Sequence, residues 1–352
     1  MRILVTGGTG FIGGHVAGRL SAGGHDVTIL SRGRSLPDGL PRSVGIRVGD
    51  LADPASLRAA CASQDAVVHA AGLVGAGGMW ADYRRVNVTG TRLLIRAAIA
   101  SGVPRLVHVS SLVVHARPAR GAVVREISRV LQHVASWNHY ARSKLHAERI
   151  VHRVATTGRI ATVVIRPGVV LGPGDRWTTP WLLRRLSQPV LLMAGDGTNA
   201  IPCVAVEDLA DAIARAVAQC AAGSDVFDIA ADGVMTQRDV FAAHARAIGR
   251  RFSPVRFPAA AVRAVAGLLD ALDAVRGVQM SPPNRMAVAI AGVHAHIDSS
   301  HAAAMLGWRA RRSCEDAIRR AVAWELAHHA HSRPVGGSGR DGPGHGHPEG
   351  TK

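Results

Sequence analysis

Thr6-Gly7-Gly8-Thr9-Gly10-Phe11-Ile12-Gly13 decides how this chain is read. The octet follows the apolar run Ile3-Leu4-Val5 and opens a stretch that puts Ile12, Val16 and Leu20 on one helical face. Strand, glycine turn and helix in that order form a cradle for phosphate. Gly7 permits the tight turn, Gly10 lets the backbone approach a pyrophosphate, and Gly13 lets helix and strand pack closely. The helix N-terminus then offers unpaired N–H groups and a positive dipole end to the anion. A glycine triplet alone is weak evidence. Its position between a strand and an apolar-striped helix is what makes it specific.

Outward from the octet, short β-branched runs alternate with helical patterns. Ile3–Thr6, Asp26–Leu30, Gly45–Val48, Ala66–Ala70, Leu106–Ser110 and Thr162–Ile165 read as buried strands. Phe11–Ala22, Ala55–Ala62, Asp82–Ser101 and His139–Thr156 read as the helices between them. The alternation predicts an α/β fold, a Rossmann-type doubly wound parallel sheet. Past Pro173 the regularity fades, leaving helices at Glu207–Gln219, Thr236–Gly249, Pro258–Val278, Ser299–Leu306 and Cys314–His329, and a strand at Asp225–Ala230. We expect a dinucleotide-binding domain over 1–175, to which 200–232 return. A smaller, mainly helical C-terminal substrate lobe is expected over 176–199 and 233–330. Residues 332–352, Gly, Pro, His and charge without periodicity, are expected to be a disordered tail.

Composition narrows the function classes. Formal net charge is +17, carried mostly by arginine, yet no basic run and no aromatic–arginine ladder supports nucleic-acid binding. Cys61, Cys203, Cys220 and Cys314 are scattered and form no C-x-x-C pair, so neither zinc nor a disulfide framework is expected. No metal site is expected, the tail histidines His328, His329, His331, His345 and His347 being read as solvated. The N-terminal apolar run is too short for a signal peptide, and no stretch approaches a membrane span. A cytoplasmic enzyme is the expectation.

Two further places carry chemistry. The second strand runs into Ser31-Arg32-Gly33-Arg34, where an NAD enzyme usually offers an acid to the ribose 2′-hydroxyl. Ser31 and Arg32 would instead hold a 2′-phosphate, so NADP(H) is preferred, with NAD(H) as the other cofactor the site could take. Asp50-Leu51 is placed to meet the adenine. Tyr140 and Lys144, at i and i+4, share a helix face, where an ammonium brings a phenol toward working range as an acid–base. Ser110-Ser111 stands at the C-terminal end of a predicted parallel strand, where doubly wound sheets bind ligands.

With these residues in view, the chain resembles the extended short-chain dehydrogenase/reductases, within the NAD(P)-dependent epimerase/dehydratase family and its 3β-hydroxysteroid-dehydrogenase-like branch. The resemblance runs from residue 1 to about 328 through the glycine octet, Gly49-Asp50-Leu51, His69-Ala70-Ala71-Gly72, Val86-Asn87-Val88-Thr89-Gly90-Thr91, Ser110-Ser111, Tyr140-x-x-x-Lys144, Arg166-Pro167-Gly168-Val169-Val170-Leu171-Gly172-Pro173-Gly174-Asp175, Val206-Glu207-Asp208 and Leu306-Gly307-Trp308. It implies Ser111, Tyr140 and Lys144 as the catalytic group. It implies cofactor contacts from Gly7, Thr9, Gly10, Phe11, Ile12, Gly13, Ser31, Arg32, Asp50, Leu51, Ala70, Ala71, Asn87, Pro167, Val169 and Val170 as well as from the catalytic pair. His115 and Ala116 depart from the Tyr and Gly usual after the serine strand.

Ser110-Ser111-Leu112 lacks the T-D-E of the dehydratases, and Val169 and Leu171 replace polar and aromatic residues of sugar-nucleotide enzymes. The expected reaction is reversible hydride transfer between NADP(H) and a secondary alcohol or ketone of an apolar, steroid-like or β-keto substrate. A nucleotide-sugar epimerase or reductase is the alternative. The expected partner is that small molecule, and a homodimer is compatible with the resemblance.

Overall fold

The computed structural model describes residues 1–37, 39–74, 79–116, 122–219, 224–276 and 295–330. The expected tail, 332–352, lies outside the described residues. Seven parallel strands form the main sheet: β1 (Arg2–Thr6), β2 (Asp26–Ser31), β3 (Gly45–Val48), β4 (Ala66–His69), β5 (Arg105–Val109), β6 (Ala161–Pro167) and β7 (Ser224–Ile229). Their order is β7-β6-β5-β4-β1-β2-β3, so the chain winds outward in both directions from β1 and β4. This is the doubly wound Rossmann-type sheet that the sequence predicts.

The central strands are buried on both faces, which is why they read as unbroken apolar runs. On one face Ile3, Val5, Val107 and Ile165 pack against Val16 and Leu20 of α1 (Phe11–Ala22) and Leu209 and Ile213 of α7 (Val206–Gln219). On the other, Leu4, Val67, Leu106 and Val164 meet Leu57 of α2 (Pro54–Cys61), Leu94 and Ile95 of α4 (Thr91–Ala100) and Val151 of α5 (His139–Ala155). Local chemistry fixes the helix starts. Asp53 accepts from Ala55 N at 2.9 Å and Ser56 N at 3.2 Å ahead of Pro54, and Asn138 accepts from Ala141 N at 3.1 Å.

The expected single helix Asp82–Ser101 is three pieces: α3 (Trp80–Tyr83), a π-helical stretch Arg84–Gly90, and α4. Hydrophobic periodicity carries no sign of this widened turn, because the core face resumes in α4. A third core gathers α6 (Thr178–Leu186), α8 (Gln237–Ala247) and α11 (Cys314–Ala330) around Leu182, Leu186, Val240, Phe241, Ile318 and Val322. α6 went unseen in the sequence. α9 (Ala259–Arg276) ends short of the expected Val278, which lies outside the described residues. α10 (Ser300–Leu306) closes at Gly307, φ 58°, and Trp308 Nε1 then donates to Asp208 O at 2.8 Å.

Candidate active site

The predicted residues converge at the C-terminal edge of the sheet. The glycine loop leaves β1, Ser31 ends β2, Ala70-Ala71 follow β4, Ser110-Ser111 follow β5, and Pro167 ends β6.

The glycine loop is as tight as its spacing implies. A Cβ on Gly7, φ 73°, would stand 2.7 Å from the Ala71 backbone, and one on Gly13 would stand 2.2 Å from the Gly7 carbonyl. Over Gly10 a Cβ would meet only the Gly7 carbonyl, at 3.1 Å, so the face of the loop stays open. No acid occupies the first turn of α1. Cradle, open face and unopposed helix terminus fit a dinucleotide pyrophosphate. Thr9 is exposed, and Phe11 and Ile12 are half-buried. Arg176 reaches across to the Thr9 carbonyl at 3.3 Å, and His15 Nε2 meets the Pro173 carbonyl at 2.9 Å, so the 172–176 turn overlies the loop.

At the end of β2, Ser31 is buried and its Oγ accepts from Gly33 N at 3.1 Å. Arg32 and Arg34 are exposed, and among the described residues neither makes an ion pair. Asp50 Oδ1 accepts from Ala52 N at 2.8 Å, and Leu51 packs over Gly90, whose Cβ would lie 3.1 Å from that of Leu51.

Ser111, whose Oγ accepts from Val113 N at 3.4 Å, stands close enough to the Tyr140 phenol to act on its ionisation. Burial pushes the Tyr140 phenol up, and Ser111 pulls it back. Lys144 lies one turn further on, buried, with Nζ donating to the Val109 carbonyl at 3.0 Å. Burial brings its ammonium down to about 8, with Glu148 working the other way. Of the two serines, Ser110 points elsewhere, donating to Glu148 Oε2 at 2.5 Å. Asn87, in the π-helical stretch, fixes the loop beyond β4. Its Oδ1 accepts from Leu73 N at 2.6 Å, and its Nδ2 reaches Leu73 O at 3.0 Å and Ser143 Oγ at 2.8 Å. Ser143 Oγ in turn donates to the Tyr140 carbonyl at 2.8 Å. Gly72 lies between these groups, and a Cβ there would stand 3.3 Å from Lys144 Nζ.

A buried chain ties the glycine loop to Asn87. Burial, then Lys144, brings His69 down to about 3, so its ring is neutral. Thr91 Oγ1 donates to Asn87 O at 2.6 Å and so must accept from His69 Nε2–H at 2.8 Å. The bare Nδ1 then accepts from Thr6 Oγ1–H at 2.7 Å, while Thr6 Oγ1 accepts from Ala71 N at 3.4 Å.

Beneath Ser110 lies a buried ionic cluster that sequence reading missed. Arg166 Nε spans both Glu148 oxygens at 3.0 and 3.2 Å, and its Nη1 is 3.6 Å from Asp228 Oδ1. Burial works against the Glu148 charge, but His152, Arg166 and Ser110 hold its carboxyl down to about 2. His115, the departure noted above, meets Asp228 Oδ2 at 2.7 Å, so the substituted imidazole is built into this cluster. The spacing Tyr140, Lys144, Glu148 along one helix face was the available signal; Asp228, far away in sequence, gave none. Pro167 is buried, and Val169 and Val170 are half-buried beside it. Trp177 is half exposed, and Trp181 packs edge-on to Phe241 at 6.0 Å.

A Rossmann sheet with this tyrosine, lysine and serine at its carboxyl edge defines an extended short-chain dehydrogenase/reductase. The profile of the NAD dependent epimerase/dehydratase family matches residues 3–230, and the chain belongs to that family. It is an NAD(P)-dependent oxidoreductase. A 2-alkyl-3-oxoalkanoate reductase of Stenotrophomonas maltophilia (strain K279a) is 37% identical over 213 residues, 60% of this chain but only 63% of that protein. A 4-hydroxy-2-methyl-3-oxo-4-farnesyl-3,4-dihydroquinoline-1-oxide ketoreductase of Stigmatella aurantiaca is 27% identical over 91% of this chain and 96% of that one. Among solved structures, MoeE5 in complex with UDP-glucose and NAD superposes with a TM-score of 0.72 at 25% identity, over 93% of this chain and 99% of that one. Among the described residues no helix is long and apolar enough to cross a membrane.

Proposed function

We propose that the protein reduces the ketone of an apolar, β-keto or steroid-like substrate to a secondary alcohol, reversibly and with NADP(H) in preference to NAD(H). The cofactor domain in this reading is 1–175 with 200–232, and the substrate lobe is the remainder up to residue 330. The observation that carries the reaction is the convergence of Ser111, at the end of β5, with Tyr140 and the buried Lys144, whose Nζ bonds the Val109 carbonyl of that same strand.

A bound nicotinamide dinucleotide supplies the hydride. Gly7, Gly10 and Gly13 would cradle its phosphates, Ser31 and Arg32 would meet the ribose 2′-phosphate, and Asp50 and Leu51 would border the adenine. Ala70, Ala71, Asn87 and Lys144 would line the ribose side, and Pro167, Val169 and Val170 the ring. Ser111 orients the substrate carbonyl oxygen. Tyr140, a phenol that burial shifts further toward its protonated form, gives that oxygen its proton as charge develops. Lys144 would hold the nicotinamide ribose; the expected lowering of the phenol by its ammonium is not seen, since burial raises Tyr140 and Ser111 alone opposes it. Asn87 acts through the backbone, holding the Leu73 loop and the first turn of α5 in register.

The apolar character of the substrate rests on the half-buried Val169 and Val170 and on Trp177 and Trp181 at the lobe edge; Leu171 is wholly buried in the third core. Two relatives whose names denote ketone-reducing enzymes with lipophilic chains support it. The competing reading, a nucleotide-sugar enzyme, draws on the MoeE5 likeness and on Arg176 over the glycine loop. One experiment separates them: NADPH and NADH oxidation against long-chain β-keto acids and steroid ketones, beside calorimetry with UDP. NADPH oxidation by an apolar ketone with no UDP binding is expected. Micromolar UDP binding competed by a nucleotide sugar, without ketone reduction, would overturn the proposal.

A further inference from the structure

α9 is apolar on both sides among its described side chains. It buries Ala266 and Gly267, half-buries Val262 and Leu269, and turns Val265, Leu268 and Leu272 to solvent, 52%, 62% and 41% exposed. These three stand at i, i+3 and i+7 and form one stripe, which the exposed Ala261 and Ala264 extend toward the N-terminus. The strand entering the helix, Val255–Phe257, is exposed throughout and continues the apolar pattern with Val255 and Phe257. It pairs with Leu192–Ala194, and Val255 N donates to Leu191 O at 2.8 Å, which brings the exposed Val190 alongside. Contiguous apolar surface of this kind marks an interaction site.

Its charge says what it meets. Arg250, Arg251 and Arg256 are exposed; Arg250 and Arg251 lead into the strand, and Arg256 projects from the strand face opposite Val255 and Phe257. Arg250 bonds the Leu186 carbonyl, which holds its guanidinium at the same edge. A chain of net charge +17 repels a second copy and is drawn to an anionic surface.

We propose that this face docks on the surface of an anionic lipid bilayer. The Val265–Leu268–Leu272 stripe and Phe257 enter the acyl boundary, and Arg250 and Arg251 meet headgroup phosphates. The proposal goes beyond the reaction proposed above, and its test does not use turnover.

The test is sedimentation of the full chain with phosphatidylcholine vesicles, with and without phosphatidylglycerol. Binding is expected only with the anionic lipid, and it should fall about tenfold or more in Leu268→Glu/Leu272→Glu and, separately, in Arg250→Glu/Arg251→Glu. Melting by circular dichroism and NADPH affinity report the fold of each variant, and Leu268→Gln serves where paired glutamates unfold the helix. Three results overturn the proposal: no binding to anionic vesicles, equal binding to neutral ones, or binding that the α9 and arginine variants leave unchanged. A dimer in light scattering that Leu268→Glu dissolves, with no vesicle binding, would reassign the face to self-association.

Discussion

Glu148→Gln probes the buried cluster under the serine loop. The carboxylate is almost wholly enclosed, receives Ser110 and Arg166, and is held down from 4.5 to about 2. That depression corresponds to about 3 kcal/mol of folding stability by proton linkage. A glutamine keeps the shape and one acceptor oxygen, but it leaves Arg166 with only Asp228, 3.6 Å away, to balance it. At pH 7 the variant should lose roughly 2–4 kcal/mol in urea unfolding. The sign of the pH dependence follows from the depressed value. The native contribution is complete above the unfolded value near 4.5 and disappears as pH falls toward 2, so the two proteins should converge over that window. Urea titrations at pH 7, 4 and 2.5 measure this. A loss under about 1 kcal/mol at pH 7, or a difference that does not shrink on acidification, would refute the reasoning.

The remaining predictions concern turnover and cofactor. Tyr140→Phe should cut ketone reduction by about 10²–10⁴ while leaving the NADPH dissociation constant nearly unchanged, and a variant keeping a tenth of the rate would remove Tyr140 as proton donor. Arg32→Ala should weaken NADPH by about 1.5–3 kcal/mol, roughly ten- to hundredfold, and NADH little; equal losses in calorimetry would place the 2′-phosphate elsewhere. Ketone reduction should decline above pH about 8 as Lys144 gives up its proton, and a rate level to pH 10 would show that its charge is not needed. In the reverse direction alcohol oxidation should rise with pH, since it requires the Tyr140 phenolate.

The sheet and glycine loop were legible because their physics is local. A buried parallel strand reads as an apolar run, and the Gly7 and Gly13 contacts follow from their spacing. Tyr140, Lys144 and Ser111 were legible for the same reason, one helix turn and one strand end apart. The cluster of Glu148, Arg166, His115 and Asp228 was not, because its partners come from a helix, two strands and a loop with no periodic link. His115, in sequence only a departure from the family pattern, is explained by a carboxylate 113 positions further on. α6 escaped because Pro180 and two arginines blur its apolar face, which is completed by α8 and α11. The short strand pairs of the lobe have too few residues for alternation to register.

The widened turn at Arg84–Gly90 separates two demands that one straight helix would bind together. α4 must keep Leu94, Ile95 and Ala98 against the sheet, while Asn87 must face Leu73 and Ser143. In a uniform α-helix each residue advances about 100°, so either facing would dictate the other. A π turn accommodates one more residue in the same axial length and lets the two facings be set independently. Removing one residue from this stretch would restore a regular helix and swing the amide about 100° away from its partners, with the hydrophobic seam intact. The helix thus behaves as two gear wheels on one shaft, meshed by a single extra tooth. The end that carries Asn87 can turn without stripping the end that holds the fold.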